Sequence, residues 1–347
     1  MTDRTLRRVA PSGAVTLDDV ARAAGVSLAT ASRALNGSTR KVADSYRERV
    51  EEAAARLGYS ANLSAQATAR GTSAIIALLV ADIADPYFGL IASGVARGAD
   101  EAGLVVTVAI TERDPEREVR LVRALRGQRP RGLILAASRT TAGPSAELTR
   151  ELELLSGMGG QVVALGKGAG DVRSLVLDNR SGAEALGRAL VERGYRQAVV
   201  LAAEEGTATS DTRLDGFTAG FTAAGGSAPR VYRGGFTREA GYETMTHALA
   251  DGIEPGTVVF GISDVVAIGA LTAMRAAGRT AGEDIALAGF DDIPTGRDVT
   301  PALTTVRVPL EEVGYQAFRA ATDAEWEPHP DDLRLEVLLR ESTPPRA

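Results

Sequence analysis

The 347-residue sequence contains no cysteine and only two histidines, His247 and His329. Without cysteine the chain has no disulfide, no thiolate metal ligand and no cysteine nucleophile. Two histidines argue against a metal centre built from several imidazoles. The chain also has no GxxxxGK[ST] phosphate loop, no GxSxG nucleophile turn and no GxGxxG after a predicted strand. We therefore expect no catalytic residue, no metal and no cofactor.

Long hydrophobic segments are missing as well. The longest apolar run, residues 74–81, is far shorter than the roughly 20 residues that cross a bilayer as a helix. Arg4, Arg7 and Arg8 have no apolar stretch behind them, so that no secretory leader is predicted. We expect a soluble, cytoplasmic protein without a membrane partner.

Charge is distributed unevenly along the chain, whose formal net charge is −6. Residues 1–71 hold 11 Arg or Lys against 7 Asp or Glu, whereas the remainder holds 28 against 38. A basic end on an acidic body is typical of a protein with a polyanionic partner at one end only.

Residues 16–36 read as two short helices joined by a tight turn. Thr16 is a natural N-cap, and Asp19 can return a hydrogen bond to it, as in a capping box. Gly25 supplies the backbone freedom that the turn needs, and Ser27 caps the second helix. This pattern indicates a helix-turn-helix whose second helix can enter a DNA major groove.

A third predicted helix, over residues 44–57 and ended by Gly58, completes a small head at 15–59. The residues predicted to face its core are Leu17, Val20, Ala21, Ala24, Ala31, Ala34, Leu35, Tyr46, Val50, Ala53, Ala54 and Leu57. Residues 1–14 are polar and aperiodic, which predicts a disordered arm. Residues 60–70 lack an apolar stripe, so they are either a plain linker or a segment that folds only against a partner.

From Ile75 onward short apolar runs alternate with amphipathic stretches. The runs predict buried strands at 75–80, 105–109, 133–136, 162–165, 198–201, 258–260 and 285–288, and the stretches predict helices at 90–101, 116–126, 182–193 and 265–277. Continuous apolar strands with helical crossovers indicate parallel sheets covered on both faces. Seven strands fit two consecutive doubly wound α/β units, with a boundary near 177–179.

Ten sequence motifs occur in the order and spacing of a known protein family: VTLDDVARAAGVSLATASRALNG, RERVEEAAARLGY, DIADPYF, RGLILA, VLDN, RLDGF, SDVVAIGA, GFDD, PALTTVRVPLEEVG and LLREST. With them the chain closely resembles the lactose-repressor (LacI/GalR-type) family of bacterial transcription regulators, over about residues 15–343. The resemblance implies an N-terminal helix-turn-helix DNA-binding domain at 15–59, a hinge segment at 60–71 and a two-lobed, periplasmic-binding-protein-like core at 72–343. It places 72–177 and 304–325 in an N-lobe, and 178–303 and 326–343 in a C-lobe.

The resemblance also implies a function. The chain is expected to be a sequence-specific DNA-binding regulator, a repressor by default, associated with the nucleoid. A small carbohydrate-like effector between the lobes would control its affinity for operator DNA, as inducer or as corepressor. A homodimer on a pseudo-palindromic operator is expected, and the tail has no leucine heptads that would build a tetramer. An enzyme and a transport-binding protein are the alternatives, the former without a catalytic motif and the latter without a leader.

Family motifs assign DNA contacts to positions of the head and hinge: Thr16, Ser27, Leu28, Ala29, Thr30, Ser32, Arg33, Asn36, Asn62 and Thr68. Arg33 and Thr30 would supply most hydrogen bonds to bases, while Ser27 and Asn36 would bind phosphates. Thr68 stands where the family usually has a leucine that wedges into the minor groove. The resemblance therefore implies shallower DNA bending than is typical.

The effector contacts implied by the resemblance are Tyr87, Phe88, Lys167, Arg213, Ser263, Asp264 and Asp291. Arg213 would clamp hydroxyls or a carboxylate, Asp291 would accept hydrogen bonds from hydroxyls, and Tyr87 and Phe88 would form an apolar wall against a sugar ring. Ser263 stands where the family commonly has Asn, and Gly166–Lys167 replace a frequent Asp-Arg pair. Lys167 leaves an acidic sugar possible, so that the identity of the effector stays open.

Overall fold

The computed structural model describes residues 15–36, 42–59, 73–136, 140–166, 168, 172–327, 329 and 333–346. These residues belong to two compact units, Met1–Arg70 and Gly71–Ala347, called here the head and the core. The arm at 1–14, the hinge segment at 60–71 with Asn62 and Thr68, and Lys167 lie outside the described residues. Within the described part of the chain no helix is long and apolar enough to cross a membrane.

The head consists of α1 (Leu17–Ala24), α2 (Leu28–Asn36) and α3 (Asp44–Leu57). The capping box is confirmed: the Asp19 amide donates to Thr16 Oγ1 at 3.3 Å, and the Thr16 amide donates to Asp19 Oδ2 at 3.0 Å. Gly25 and Gly58 end their helices in the left-handed conformation, each with a φ of 64°, which glycine adopts without the steric cost of a Cβ.

The core of the head is built from small side chains. Its buried apolar residues are Val20, Ala21, Ala24, Ala31, Val50, Ala53 and Ala54. The prediction for Tyr46 is wrong, because its side chain is 46% exposed in the first turn of α3. The Arg49 guanidinium lies 5.8 Å from the centre of the Tyr46 ring, so the ring covers a basic side chain rather than the core.

The first lobe of the core is a parallel sheet in the order β2-β1-β3-β4-β5. Its strands are β1 (Ile75–Val80), β2 (Val105–Ile110), β3 (Gly132–Leu135), β4 (Gln161–Leu165) and β5 (Arg173–Leu175), and its helices are α4 (Pro86–Glu101), α5 (Pro115–Gly127) and α6 (Ala146–Gly157). Alternate residues of β1 serve both faces: Leu78 packs in the cluster that contains α4, and Leu79 in the cluster that contains α5 and α6. This double burial explains the unbroken apolar run of the strand.

The second lobe is a parallel sheet in the order β7-β6-β8-β9. Its strands are β6 (Ala198–Ala203), β7 (Arg230–Gly234), β8 (Val258–Gly261) and β9 (Ala286–Ala288), and its helices are α7 (Asn179–Glu192), α8 (Ala208–Ala223), α9 (Arg238–Ala250), α10 (Asp264–Ala276) and the short α11 (Thr295–Asp298). Helices α7 and α8 pack together, as do α9 and α10, so that the sheet has a helical layer on each side.

The chain then returns to the first lobe and crosses back. Strand β10 (Thr305–Arg307) pairs antiparallel with β11 (Glu336–Leu338), and between them α12 (Leu310–Thr322) packs on α4 of the first lobe. Isolated bridges join Ala288 to Thr304 and Asp291 to Arg307. Residues 304–307 thus lie along the second lobe, whereas the sequence assigned them to the first; backbone pairing with the end of β9 is the reason.

Parallel doubly wound sheets in two lobes confirm the predicted fold class. All seven predicted strands are present, and each of the four helices predicted in the core starts one to four residues earlier than the apolar periodicity suggested. Caps account for the earlier starts of α4, α5 and α7, because Asp85, Asp114 and Asp178 accept hydrogen bonds from the first-turn amides of these helices. Proline at the first helical position of α4 and α5 fits the same rule.

Candidate functional site

A cavity of about 280 Å³ lies between the two lobes of the core. The loops that follow the strands form it: Asp85 after β1, Arg113 after β2, Ala136 after β3, Phe236 after β7, Ser263 after β8 and Asp291 after β9. Ligands of open α/β sheets bind at the carboxyl ends of the strands, where neighbouring loops diverge. The position and the mixed lining of the cavity are those of a small-molecule site.

Arg213, in the second turn of α8, is the central polar residue of the cavity. Its Nε donates to Asn179 Oδ1 at 2.8 Å, Nη1 to the carbonyl of Ile262 at 2.9 Å, and Nη2 to Asp291 Oδ1 at 2.7 Å. The Phe290 ring lies under the guanidinium at 3.9 Å. Only 1% of the Arg213 surface is exposed. The three hydrogen bonds and the ring fix the orientation of the guanidinium, and they thereby fix the direction of its remaining N–H groups.

Asp291 is the partner of Arg213 and reaches the cavity from an unusual backbone conformation. Its φ is 114° and that of Asp292 is 57°, values that L residues adopt at a cost and that cluster at functional sites. Burial raises the pKa of Asp291 to about 6, and the nearby Arg213 guanidinium opposes that rise. The carboxylate therefore depends on Arg213 to stay charged near neutral pH.

Ser263 and Asp264 take different places, although they are neighbours in sequence. Ser263 lines the cavity and is buried, and its Oγ has no hydrogen-bond partner among the described residues. The carboxylate of Asp264 instead accepts hydrogen bonds from the Ile293 amide at 2.9 Å and from Thr305 Oγ1 at 2.7 Å. The carboxylate of Asp264 is thus occupied by loop and crossover groups, and Asp264 is not among the residues that line this cavity. Its predicted contact with the effector stays a prediction.

The first lobe supplies the apolar wall. Tyr87 and Phe88 both line the cavity from the first turn of α4, with ring centres 5.0 Å apart in an edge-to-face contact. Asp85 accepts the Tyr87 amide at 2.9 Å and so fixes the start of that helix. Burial raises the pKa of Asp85 and of the Tyr87 hydroxyl. The wall thus joins two aromatic rings to a desolvated carboxyl group.

Sequence reasoning missed six polar or aromatic residues of the cavity: Asp85, Arg113, Asn179, Thr209, Thr212 and Phe236. Arg113 and Asp85 could have been found as polar residues that directly follow predicted strands. Phe236 follows β7, and the alternation of arginines with other residues in β7 hid that strand. Asn179 stands in VLDN, a motif that marked the lobe boundary, and its amide oxygen now proves to position Arg213.

Two contacts bridge the lobes beside the cavity. Arg113 Nη2 donates to the carbonyl of Phe236 at 3.5 Å, and its guanidinium lies 5.8 Å from the centre of the Phe236 ring. The Thr141 amide donates to the carbonyl of Gly206 at 2.7 Å. The cleft is therefore spanned by direct contacts at two points.

On the head, the outward face of α2 carries the predicted DNA contacts. The Leu28 side chain is 50% exposed, Ala29 and Arg33 are exposed, and Thr30 and Ser32 are half-buried. Ser27 Oγ accepts the Thr30 amide at 3.1 Å and lies 2.8 Å from Thr30 Oγ1, which confirms its capping role. Thr16 is engaged in the capping box, and the side chain of Asn36 lies outside the described residues.

Among the described residues, no group of three or more His, Asp or Glu side chains is arranged to hold a metal ion. Of the residues that the structure describes, the acidic and basic side chains that line the cavity are the two carboxyl groups of Asp85 and Asp291 and the two guanidinium groups of Arg113 and Arg213. Such a set binds hydroxyl, carboxylate or phosphate groups by hydrogen bonds and ion pairs.

Comparison with known families matches both units. The model of "Bacterial regulatory proteins, lacI family" matches residues 16–62, and that of "Periplasmic binding proteins and sugar binding domain of LacI family" matches residues 73–342.

Individual relatives match along almost their whole length. The chain is 33% identical to the transcriptional repressor PurR of Erwinia tasmaniensis over 311 residues, which cover 89% of each sequence. It is 31% identical to the repressor CytR of Escherichia coli over 338 residues, which cover 95% of this chain and 96% of CytR. Both relatives are transcriptional repressors of the helix-turn-helix type.

Solved structures agree with the fold. A Lac repressor bound to ONPG in its repressed state superposes with a TM-score of 0.79 at 25% identity, covering 95% of this chain and all of that chain. A complex of the transcriptional regulator CelR with cellobiose superposes with a TM-score of 0.65 at 28% identity, covering 94% of this chain and 99% of that one.

Proposed function

The chain belongs to the lacI family of bacterial regulatory proteins, and from that premise we propose that it is an effector-controlled repressor. It is a DNA-binding transcriptional regulator with a ligand-binding core. We assign it no catalytic role and place it in the cytoplasm, on the nucleoid. The observation that carries the proposal is that one chain combines two sites. Helix α2 has an exposed outer face, and the cavity of the core contains the ion pair of Arg213 with Asp291.

The DNA partner is a pseudo-palindromic operator bound by two copies of the chain. The exposed side chains of α2 support this part of the proposal, since a recognition helix reads the major groove with the residues of its first turns. Arg33 offers a guanidinium for guanine, while Leu28 and Ala29 offer only apolar contacts, for example to a thymine methyl group. A two-fold dimer matches two half-sites about one helical turn apart, roughly 34 Å.

The effector is a sugar or a sugar derivative held between the lobes. Arg213 and Asp291 can bind vicinal hydroxyls, one as donor and the other as acceptor, and Tyr87 and Phe88 offer an apolar face to a ring. The cellobiose complex of CelR supports a carbohydrate by analogy. Effector binding changes the arrangement of the lobes and lowers operator affinity, with a coupling free energy of about 1–3 kcal/mol as is typical of such systems.

Selection from random duplex DNA with the purified full chain, at near-physiological salt, tests the proposal. We expect one pseudo-palindrome to be enriched, and sugars can then be screened for release of that operator. Retention of DNA without any consensus would show that the chain binds phosphates only, and the proposed repressor function would be wrong.

A further inference from the structure

The polar groups of the cavity form two sets, one in each lobe. In the second lobe Arg213 and Asp291 lie 2.7 Å apart and are both buried, so their charges compensate each other. In the first lobe the guanidinium of Arg113 lines the cavity without such compensation. It forms no ion pair with any carboxylate among the described residues, and its only hydrogen bond there is the 3.5 Å contact to a carbonyl.

Arg113 lines the cavity but is also exposed to solvent. Partial desolvation lowers the pKa of its guanidinium, and the nearby Asp85 and Asp82 carboxylates oppose that shift. A partly desolvated cation without an ion-pair partner attracts an opposite charge more strongly than a fully hydrated one does. Arg113 is therefore open to an anionic ligand that enters the cavity.

Asp85 does not fill that role. Its Oδ1 accepts the Tyr87 amide at 2.9 Å and caps α4, so the carboxyl group is held at the start of the helix. Burial raises its pKa, and a carboxyl group that takes up a proton more readily opposes a bound anion less. An acidic ligand can thus approach Arg113 beside it.

In the second lobe, Ser263 Oγ is buried without a partner among the described residues. A buried hydroxyl in this state loses the hydrogen bonds that it makes in water. Because the side chain lines the cavity, a ligand hydroxyl can satisfy it. The guanidinium of Arg113, without an ion pair, and the hydroxyl of Ser263, without a hydrogen bond, thus lie in opposite lobes of one cavity.

We propose that the effector is an acidic sugar derivative whose carboxylate or phosphate pairs with Arg113 while its hydroxyls bind Arg213, Asp291 and Ser263. The inference rests on the proposed function, since it names the chemical class of that effector. The planar fork of Arg113 suits either a carboxylate or a phosphate, because both present two oxygens to two N–H groups.

The first arm of the test uses inorganic phosphate with the full chain, at ionic strength matched with chloride. We expect a saturable rise in the thermal unfolding midpoint, because a ligand that binds only the folded state stabilises it. R113Q should weaken the apparent affinity for phosphate about tenfold or more. R131Q, which removes an exposed arginine of the same lobe, should leave that affinity unchanged, and R33Q tests whether the phosphate binds to the head instead.

Three results of this arm would overturn the proposal. They are the absence of a saturable rise in the unaltered chain, a rise that survives in R113Q, and a rise that disappears in R33Q. The last would place the phosphate on the DNA-binding head.

The second arm distinguishes the two acidic groups with D-glucose, D-glucuronate and D-glucose 6-phosphate. Stronger binding of glucuronate supports a carboxylate, and stronger binding of the phosphate ester supports a phosphate, provided that R113Q removes the preference. Glucose binding as tightly as both acids would overturn the proposal. If none of the three binds, the phosphate arm alone decides.

The operator selection separates this inference from the function on which it rests. A consensus operator that only neutral sugars release would overturn the acidic effector and leave the repressor standing. No consensus operator, together with phosphate binding that requires Arg113, would overturn the repressor and leave an anion site.

Discussion

At the residue scale, the ion pair of Arg213 and Asp291 serves the fold as well as the cavity. Arg213 also holds Asn179 of α7 and the Ile262 carbonyl after β8, so three elements of the second lobe meet on one guanidinium. Replacing one partner of a buried pair leaves the other charge uncompensated. Ligand recognition and the stability of the lobe are therefore inseparable at this position.

We expect R213A to abolish the response of operator binding to effector and to lower the free energy of unfolding by about 3–5 kcal/mol. Urea unfolding and operator titration with and without effector measure the two effects. R213K is the matched control, because it keeps a charge near Asp291 but loses the fork. If R213A were as stable as the unaltered chain and still responded to effector, the central role of Arg213 would be wrong.

Asp291 gives a prediction for pH. Its pKa is raised from 3.8 to about 6 by burial, so the folded chain binds a proton between those pH values that the unfolded chain has released. Folded-state protonation contributes stability that is present below pH 4 and is lost as the pH rises through 6. Relative to D291N, the unaltered chain should lose about 1–3 kcal/mol between pH 4 and pH 7.

Urea unfolding of both proteins across this pH range measures the difference. Asn cannot titrate, while all other ionisable groups are shared by the two chains. A difference in the free energy of unfolding that stays constant with pH would show that Asp291 does not titrate in this range.

At the element scale, the contact of α4 with α12 joins the first lobe to the returning chain. A Cβ added at Gly94 would lie 1.8 Å from the Glu311 carbonyl oxygen, and one at Gly314 would lie 2.0 Å from that of Ile91. The two helices therefore touch through their backbones. Only glycine permits this approach, because a Cβ would meet backbone atoms of the facing helix, which cannot move aside as a flexible side chain can.

G94A should lower the free energy of unfolding by at least about 3 kcal/mol. G89A is the matched control on the same helix, because its added Cβ meets nothing within 4 Å. Alanine there should be neutral or stabilise by up to about 1 kcal/mol through helix propensity. Chemical denaturation of the two variants decides, and equal stabilities would contradict the close approach.

The recognition helix α2 allows a test within the head. R33A should weaken operator binding by about 1–3 kcal/mol and relax the preference at one base pair, as expected for a lost bidentate contact. R22A removes the same charge, but that guanidinium is paired with Asp18 and Asp19 of its own helix, so its effect should be smaller. Equal losses of operator affinity in R33A and R22A would indicate that the positive charge matters and its position on α2 does not.

Elements with strong periodicity or long apolar runs were predictable, and those with mixed surfaces were not. Strands β5, with the sequence RSL, and β7, with the sequence RVYRG, lie at sheet edges. An edge strand is only partly buried, so its sequence lacks the apolar run that identifies a central strand. For the cavity, motifs located Arg213, Ser263 and Asp291, but Arg113 and Phe236 follow edge strands and gave no motif.

Asp264 illustrates a different limit of prediction from sequence. The sequence shows which side chain a motif contains but not the direction in which the carboxylate points. In the structure Asp264 faces Ile293 and Thr305, which are 29 and 41 residues away in the chain. Such long-range partners follow from the topology of the crossover and not from local spacing.

At the scale of the whole molecule, the head and the core differ greatly in the apolar surface that they bury. Five of the seven buried apolar residues of the head are alanines, and the other two are valines. The free energy gained by burial grows with the area removed from water, at roughly 25 cal/mol per Å². So small a core leaves little margin against the conformational entropy of folding.

We therefore expect two thermal transitions for the full chain without DNA, the first small in enthalpy and belonging to the head. Differential scanning calorimetry of the full chain and of a chain that starts at Ser73 checks this. The shorter chain should lack the first transition and keep the midpoint of the second. A single transition at one midpoint would show instead that the two units unfold together.

The neighbouring residues Asp291 and Asp292 set a rule for redesigning this protein as a sensor. Asp292 binds Arg297 at 2.8 Å and Arg307 at 3.0 Å, and it also pairs with Arg340, so it ties α11, β10 and the C-terminal segment together. Altering Asp291 disturbs a residue whose neighbour anchors that network. The guanidinium of Arg113 in the first lobe has no comparable structural role, because its only hydrogen bond among the described residues is long. New effector specificities should therefore be selected from libraries at Tyr87, Arg113 and Phe236, where we expect substitutions to change ligand binding without destabilising the fold.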